Sequence, residues 1–135
     1  MRVVLDTNVW LDWLVFDDPR VQPLKRAHGE GRIEIVINAA CADELLRVLC
    51  YDMGKWTLTE EQRARCERSL ATLCTFAEPA AGGAILPLCA DPDDQKFLEL
   101  AAVARADALI TRDLELLRLA HRTPGFRIVK PSDVG

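Results

Sequence analysis

Short continuous apolar runs alternate with longer stretches of helical periodicity along the whole chain. Residues 2–5 read as a buried strand, because Val3, Val4 and Leu5 follow one another without polar interruption. Residues 33–37 form a second, β-branched run, residues 108–111 another, and residues 126–129 a last one after the Pro124-Gly125 turn signal. A weaker strand candidate lies at 84–86, behind a Gly82-Gly83 loop. Between these runs the pattern predicts helices over 7–16, 20–30, 39 to about 52, 59 to about 76, 97–104 and 114–120. Gly29-Glu30-Gly31 and Gly54 supply stop signals. Thr59 with Gln62 three residues later has the form of a capping box.

Strands alternating with helices imply a parallel sheet with helices on both faces, joined by right-handed crossovers. The fold class is therefore α/β, with four or five strands. No repeat, low-complexity tract or linker divides it, so residues 1–135 are expected to form a single domain. The helix over 7–16 is apolar nearly all round, with Asp12 the one polar residue between Val9 and Phe16. Such a helix is expected to be buried on every side or covered by a partner, either a second subunit or a bound peptide.

Composition narrows the class. At 135 residues, half of them hydrophobic, the chain can bury a core rather than remain disordered. No apolar run approaches the ~18 residues of a membrane span. Asp6 interrupts the only early apolar stretch, so no secretory signal is expected, and the expected location is cytoplasmic. Five cysteines, odd in number and without a C-x-x-C pair, fit neither a disulfide framework nor a zinc site. They are expected to act as small buried hydrophobes. Two histidines leave little for zinc or triad chemistry. The net charge of −4 argues against coating nucleic acid by bulk attraction. Residues 105–130 nevertheless carry six bases against three acids, a locally basic end suited to phosphates or simply to solvent.

Four acids fall where strands finish or helices open: Asp6, Glu44, Asp94 and Asp113. Taken singly, these positions suit helix capping. Asp91 before Pro92 is a helix start, Asp93 and Asp94 are first-turn acids, and Asp113 can cap the helix that follows it. Taken together they suggest more. The carboxyl ends of parallel strands share one edge, and ligands bind there. Asp6 and Asp113 lie on that edge, and Asp94 joins them if the 84–86 strand feeds its helix. Helical phase puts Glu44 on the rim of the stripe formed by Cys41, Leu45, Val48 and Leu49, with Asp43 almost opposite. Asp94 likewise flanks Phe97, Leu98 and Ala101, whereas Glu99 points away. Crowded carboxylates destabilise one another unless a divalent cation sits among them. Oxygen-only ligands suit Mg²⁺ or Mn²⁺, ions that activate water and neutralise charge on a reacting phosphate.

Four segments carry a resemblance: Leu5-Asp6-Thr7-Asn8, the Glu44-Leu45-Leu46-Arg47-Val48-Leu49 helix, the stretch from Asp91-Pro92-Asp93-Asp94 to Ala101, and Leu109-Ile110-Thr111-Arg112-Asp113 with the helix after it. In this order, from Met1 to about Lys130, they resemble the PIN-domain nucleases, and more narrowly the VapC-like toxins of bacterial toxin–antitoxin systems. The resemblance implies a three-layer α/β/α fold with a central, mostly parallel sheet. It also implies Mg²⁺- or Mn²⁺-dependent endoribonuclease activity on an RNA substrate, a homodimer and a small antitoxin partner. Carried over by position, Asp6, Glu44, Asp94 and Asp113 match the acidic quartet. Asn8 and Thr111 match the polar residues that support it, and Glu115 is a further neighbouring acid. Arg112 and Arg118 are candidates to seat the RNA backbone. Two rivals are a signalling receiver domain, suggested by Lys130-Pro131, and a non-catalytic module that keeps the fold but docks a protein or RNA.

Overall fold

The apolar runs become the middle of a sheet. In the computed structural model, which describes residues 1–77, 86–87, 91–123 and 125–134, strand β1 (Arg2–Leu5) lies between two parallel neighbours. On one side is β2 (Glu34–Ile37) and beyond it β3 (Cys74–Phe76); on the other is β4 (Ala108–Ile110) and then β5 (Arg127–Val129). The order β3-β2-β1-β4-β5 is parallel throughout. Val3, Val4 and Leu5 pair with Ala108, Leu109 and Ile110, and all six are buried. Burial on both faces explains why these strands read as unbroken apolar runs.

The chain steps outward from β1 to β3, then returns to lay β4 on the other side of β1. The topological switch point therefore lies between β1 and β4, where open α/β sheets bind ligands. A receiver domain has the order 2-1-3-4-5, with β1 between β2 and β3. Here β4 takes that place, so the receiver rival is excluded.

Helices α1 (Thr7–Leu11), α2 (Gln22–Gly29), α3 (Ala39–Val48), α4 (Glu60–Leu73), α5 (Gln95–Val103) and α6 (Leu114–Leu117) complete a three-layer α/β/α fold. Helix α5 packs on β1 and β4, and α3 packs against both α1 and α5. Leu45, Phe97 and Leu98 are buried at these contacts with the strands' own side chains. The capping box at α4 forms as expected: Thr59 Oγ1 accepts from the Gln62 amide at 3.1 Å, and Gln62 Oε1 accepts from the Thr59 amide at 2.8 Å. No helix among the described residues is long and apolar enough to cross a membrane.

The structure corrects three expected helix ends. The helix expected to reach residue 76 ends at Leu73, and Cys74, Thr75 and Phe76 form the edge strand β3 against Ile35, Val36 and Ile37. Cys66, Leu70 and Cys74 recur every four residues and so prolong the helical pattern; pairing with β2 overrides it. Of the strand expected at 84–86, residues 84 and 85 lie outside the described residues, as do Gly82 and Gly83, and Leu86 belongs to no strand. The helices expected to reach about 52 and 120 stop at Val48 and Leu117. Consequently Cys50 falls in the turn after α3 and is exposed, whereas Cys41 and Cys66 are buried as expected and Cys74 partly so. Cys89 lies outside the described residues.

The expected all-round burial over 7–16 is inverted in its second half. After α1 the chain continues as a π-helical turn, Asp12–Phe16. There the single polar residue, Asp12, is buried to 2 % exposure, while Trp13, Leu14, Val15 and Phe16 are partly exposed. A carboxylate reaches the interior at such cost only with a partner. That partner comes from the end of β4, as described next.

Candidate active site

Asp6 continues β1 by one residue, its amide donating to the Ile110 carbonyl at 3.0 Å. It serves as the N-cap of α1, accepting from the Asn8 amide at 3.3 Å. The capping reading is thus correct, but incomplete. The other carboxylate oxygen, Oδ2, accepts from Thr111 Oγ1 at 2.6 Å across the β1–β4 switch point. Both residues are buried, Asp6 to 3 % exposure. Thr111 Oγ1 also accepts from the Asp113 amide at 3.0 Å, which fixes the turn out of β4. Asp113 in turn caps α6 through the Glu115 amide at 2.8 Å.

Asp94 ends the short 3₁₀ turn Pro92–Asp94 that leads into α5, with Asp91 as its cap. Asp94 is partly buried while Asp93 is exposed, which separates two acids that the sequence leaves adjacent. Three carboxyls now act on one another. Burial first, and then Asp6, Asp113 and Asp91 together with a hydrogen bond to Asp113, push the Asp94 carboxyl up to about 7. Asp6 is raised too, mainly by burial and further by Asp113 and Glu44, against the lowering effect of its Thr111 and Asn8 bonds. Three of the four expected acids thus face one another across the switch point.

Glu44 stands apart. It lies partly buried on α3 with Asp43 exposed, as helical phase predicts. Its Oε2 accepts from Thr7 Oγ1 at 2.5 Å, and its Oε1 pairs with Lys96 Nζ at 2.9 Å. Lys96 and Thr7 were not expected here. Lys96 lies two residues beyond Asp94 but meets Glu44 from fifty-two residues away. No local spacing could reveal that contact. Asn8 contributes its amide, and the residue as a whole is exposed.

The two candidate RNA-contacting arginines both have acidic partners. Arg112 Nε and Nη2 hold the buried Asp12 at 2.6 and 3.1 Å, a two-pronged fork. This guanidinium anchors the end of β4, between Thr111 and Asp113, to the π-helical turn. Arg118 pairs on the surface with Glu115, which is exposed. Exposed pairs of that kind are weak and exchangeable.

The donor set consists of oxygens, suited to a hard divalent cation. Among the described residues no three acids, histidines or cysteines close into a ready cage. Mg²⁺ does not demand one, because it keeps several waters and takes only one or two carboxylates. The raised Asp94 and Asp6, together with a lysine ammonium already resting on Glu44, mark a place that calls for positive charge. The residues present fit such an ion.

Comparison with known proteins bears on the fold and the family. No curated protein matches at a significant level. Among solved structures, a chain of the crystal structure of VapBC2 from Rickettsia felis bound to a DNA fragment from their promoter superposes with a TM-score of 0.65. It is 16 % identical, and the match covers 96 % of this chain and 98 % of that one, a likeness of fold. A family model described as the PIN domain matches residues 2–115, from the first residue of β1 to beyond the last of the four acids. With that model spanning most of its length, the chain belongs to the PIN domain family.

Proposed function

We propose that this protein is a divalent-metal-dependent endoribonuclease that hydrolyses RNA phosphodiester bonds, and the toxin of a type II toxin–antitoxin pair. The observation that carries the reading is the crowding of Asp6, Asp94 and Asp113, where burial and then the neighbouring carboxyls lift Asp94 to about 7. Charge is gathered there at a cost that a bound cation would offset. Membership of the PIN domain family supports nuclease chemistry. The likeness to a chain of a VapBC2 structure supports the toxin assignment.

Asp6 and Asp94 would hold Mg²⁺ or Mn²⁺ directly, with Glu44 and Asp113 completing the site or orienting the attacking water. A bound ion of this type supplies an activated water and offsets charge growing on the phosphate. The chain's own residues do the rest. Thr111 and the Asn8 amide fix Asp6 in one orientation. The Thr111–Asp113 bond sets where the second carboxylate enters. Asp113, hydrogen-bonded to Asp94, would take up a proton from the attacking water once an ion separates the two carboxyls. Arg118 can leave Glu115 to meet an RNA phosphate. A small antitoxin protein and a homodimer belong to this reading. The partly exposed Trp13, Leu14, Val15 and Phe16, with Trp56 edge-on to Phe16 at 5.3 Å, offer apolar surface for such contacts. A non-catalytic docking module fits less well, since docking gives no reason to crowd three acids.

The test is Mn²⁺-stimulated RNA cleavage by wild type, Asp6→Asn and Asp94→Asn, with folding checked by circular dichroism. Each variant should stay folded and lose at least about 100-fold in rate, the scale of losing one group that stabilises transition-state charge. Cleavage that persists in EDTA, or in either variant, rules the reading out.

A further inference from the structure

Glu44 differs from the other three acids in having a cation of the protein's own. Its carboxylate is held at both oxygens, by the Thr7 hydroxyl at 2.5 Å and by Lys96 Nζ at 2.9 Å. Lys96 is itself anchored: its ammonium also donates to the Asp93 carbonyl and lies 5.1 Å from the centre of the Phe97 ring. Both side chains of the pair are mostly shielded, at 22 % and 17 % exposure. Asp6, by contrast, is bonded by neutral donors, Thr111 and the Asn8 amide. Among the described residues, one positive charge thus reaches the acid cluster, and it is aimed at one acid.

We propose that Lys96 is the resting counter-cation of this site, neutralising Glu44 until a divalent ion takes that carboxylate from it. The inference rests on the nuclease reading only in requiring that a divalent ion bind among these acids. A lysine suits the part. Its ammonium is a compact point charge on a flexible stem, so it can yield a carboxylate without dismantling a planar fork. Arg112 on Asp12 is the opposite case, bidentate and on a fully buried acid. Partial shielding makes the Lys96–Glu44 attraction stronger than that of an open surface pair. The divalent ion must therefore compete for Glu44. Lys96 sets the affinity of the site without being a ligand, as a positioning residue for Glu44.

The experiment is calorimetric titration of the metal-free protein with MnCl₂, without RNA, for wild type, Lys96→Met, Glu44→Gln and the double variant. Lys96→Met keeps the stem over Phe97 and removes the charge; Lys96→Gln serves if the Met variant does not fold. The expected result is roughly three- to tenfold tighter Mn²⁺ binding on loss of Lys96, the scale of one partly shielded ion pair. That gain should vanish in the Glu44→Gln background, because the double-variant cycle isolates the coupling between the two side chains. Unchanged or weaker binding in Lys96→Met overturns the proposal and leaves the nuclease reading standing. A gain that survives undiminished in Glu44→Gln also overturns it, since simple repulsion of the ion by Lys96 would then suffice. Wild type that binds no Mn²⁺ rejects the metal-dependent reading itself.

Discussion

The two ends of this sheet handle charge in opposite ways. At the amino end, Arg2 Nε meets Glu34 at 3.3 Å, its Nη1 meets the Ala104 carbonyl at 2.7 Å, and its amide donates to Asp107 at 2.7 Å. Acids and bases there are near one another and open to water, so solvent screens what the pairs do not cancel. At the carboxyl end, Asp6 is nearly sealed from solvent and two further carboxyls face it, while Lys96 pairs with Glu44. A chain able to pair its charges at one edge leaves them opposed at the other. Local choices that defy stability while the rest of the fold obeys it are where function is expected.

The contrast can be broken most forcefully through Arg112. Arg112→Met leaves Asp12 a buried acid without its fork and should cost about 3 kcal/mol, read by urea denaturation. Arg2→Met, at the amino end, should stay within about 1 kcal/mol in the same assay. Equal losses at the two ends would remove the distinction drawn here. A second, smaller effect is a pH dependence with a definite sign. Asp6 and Asp94 have folded-state values above the ordinary 3.8, so their neutral forms favour the fold. That contribution is complete below about pH 4 and is lost as pH rises through about 7, the value for Asp94. In EDTA, Tm should therefore fall by a few degrees across this window. Asp94→Asn or added MnCl₂ should flatten much of the decline. Smallest of all, Glu34→Gln should leave both Tm and its pH profile nearly unchanged.

Much of this arrangement is legible in the residues themselves. Four of the five strands declare themselves as apolar runs, and three of the acids stand at strand or helix ends, where chain geometry must gather them. Phase alone separates Glu44 from Asp43. What stays hidden is set by contacts between distant segments. Strand β3 is three residues long and continues a helical spacing, so only its pairing with β2 defines it. Lys96 looks like a surface base on α5 until α3 brings Glu44 to it. Asp12 did carry a signal, as the lone polar residue in an apolar helix. Its meaning was reversed because the buried side of that segment depends on a π-helical turn and on a guanidinium a hundred residues away.

The dispersal of the acids along the chain has a consequence for synthesis. Asp6 emerges from the ribosome first, but it lacks its Thr111 bond and its Asp113 neighbour until the chain has passed β4. Fragments released before β4 hold at most three of the four carboxylates, on an unfinished sheet that lacks the Thr111 and Asp113 contacts. The switch-point pocket therefore closes only after Thr111 and Asp113 have been made, more than a hundred residues behind Asp6.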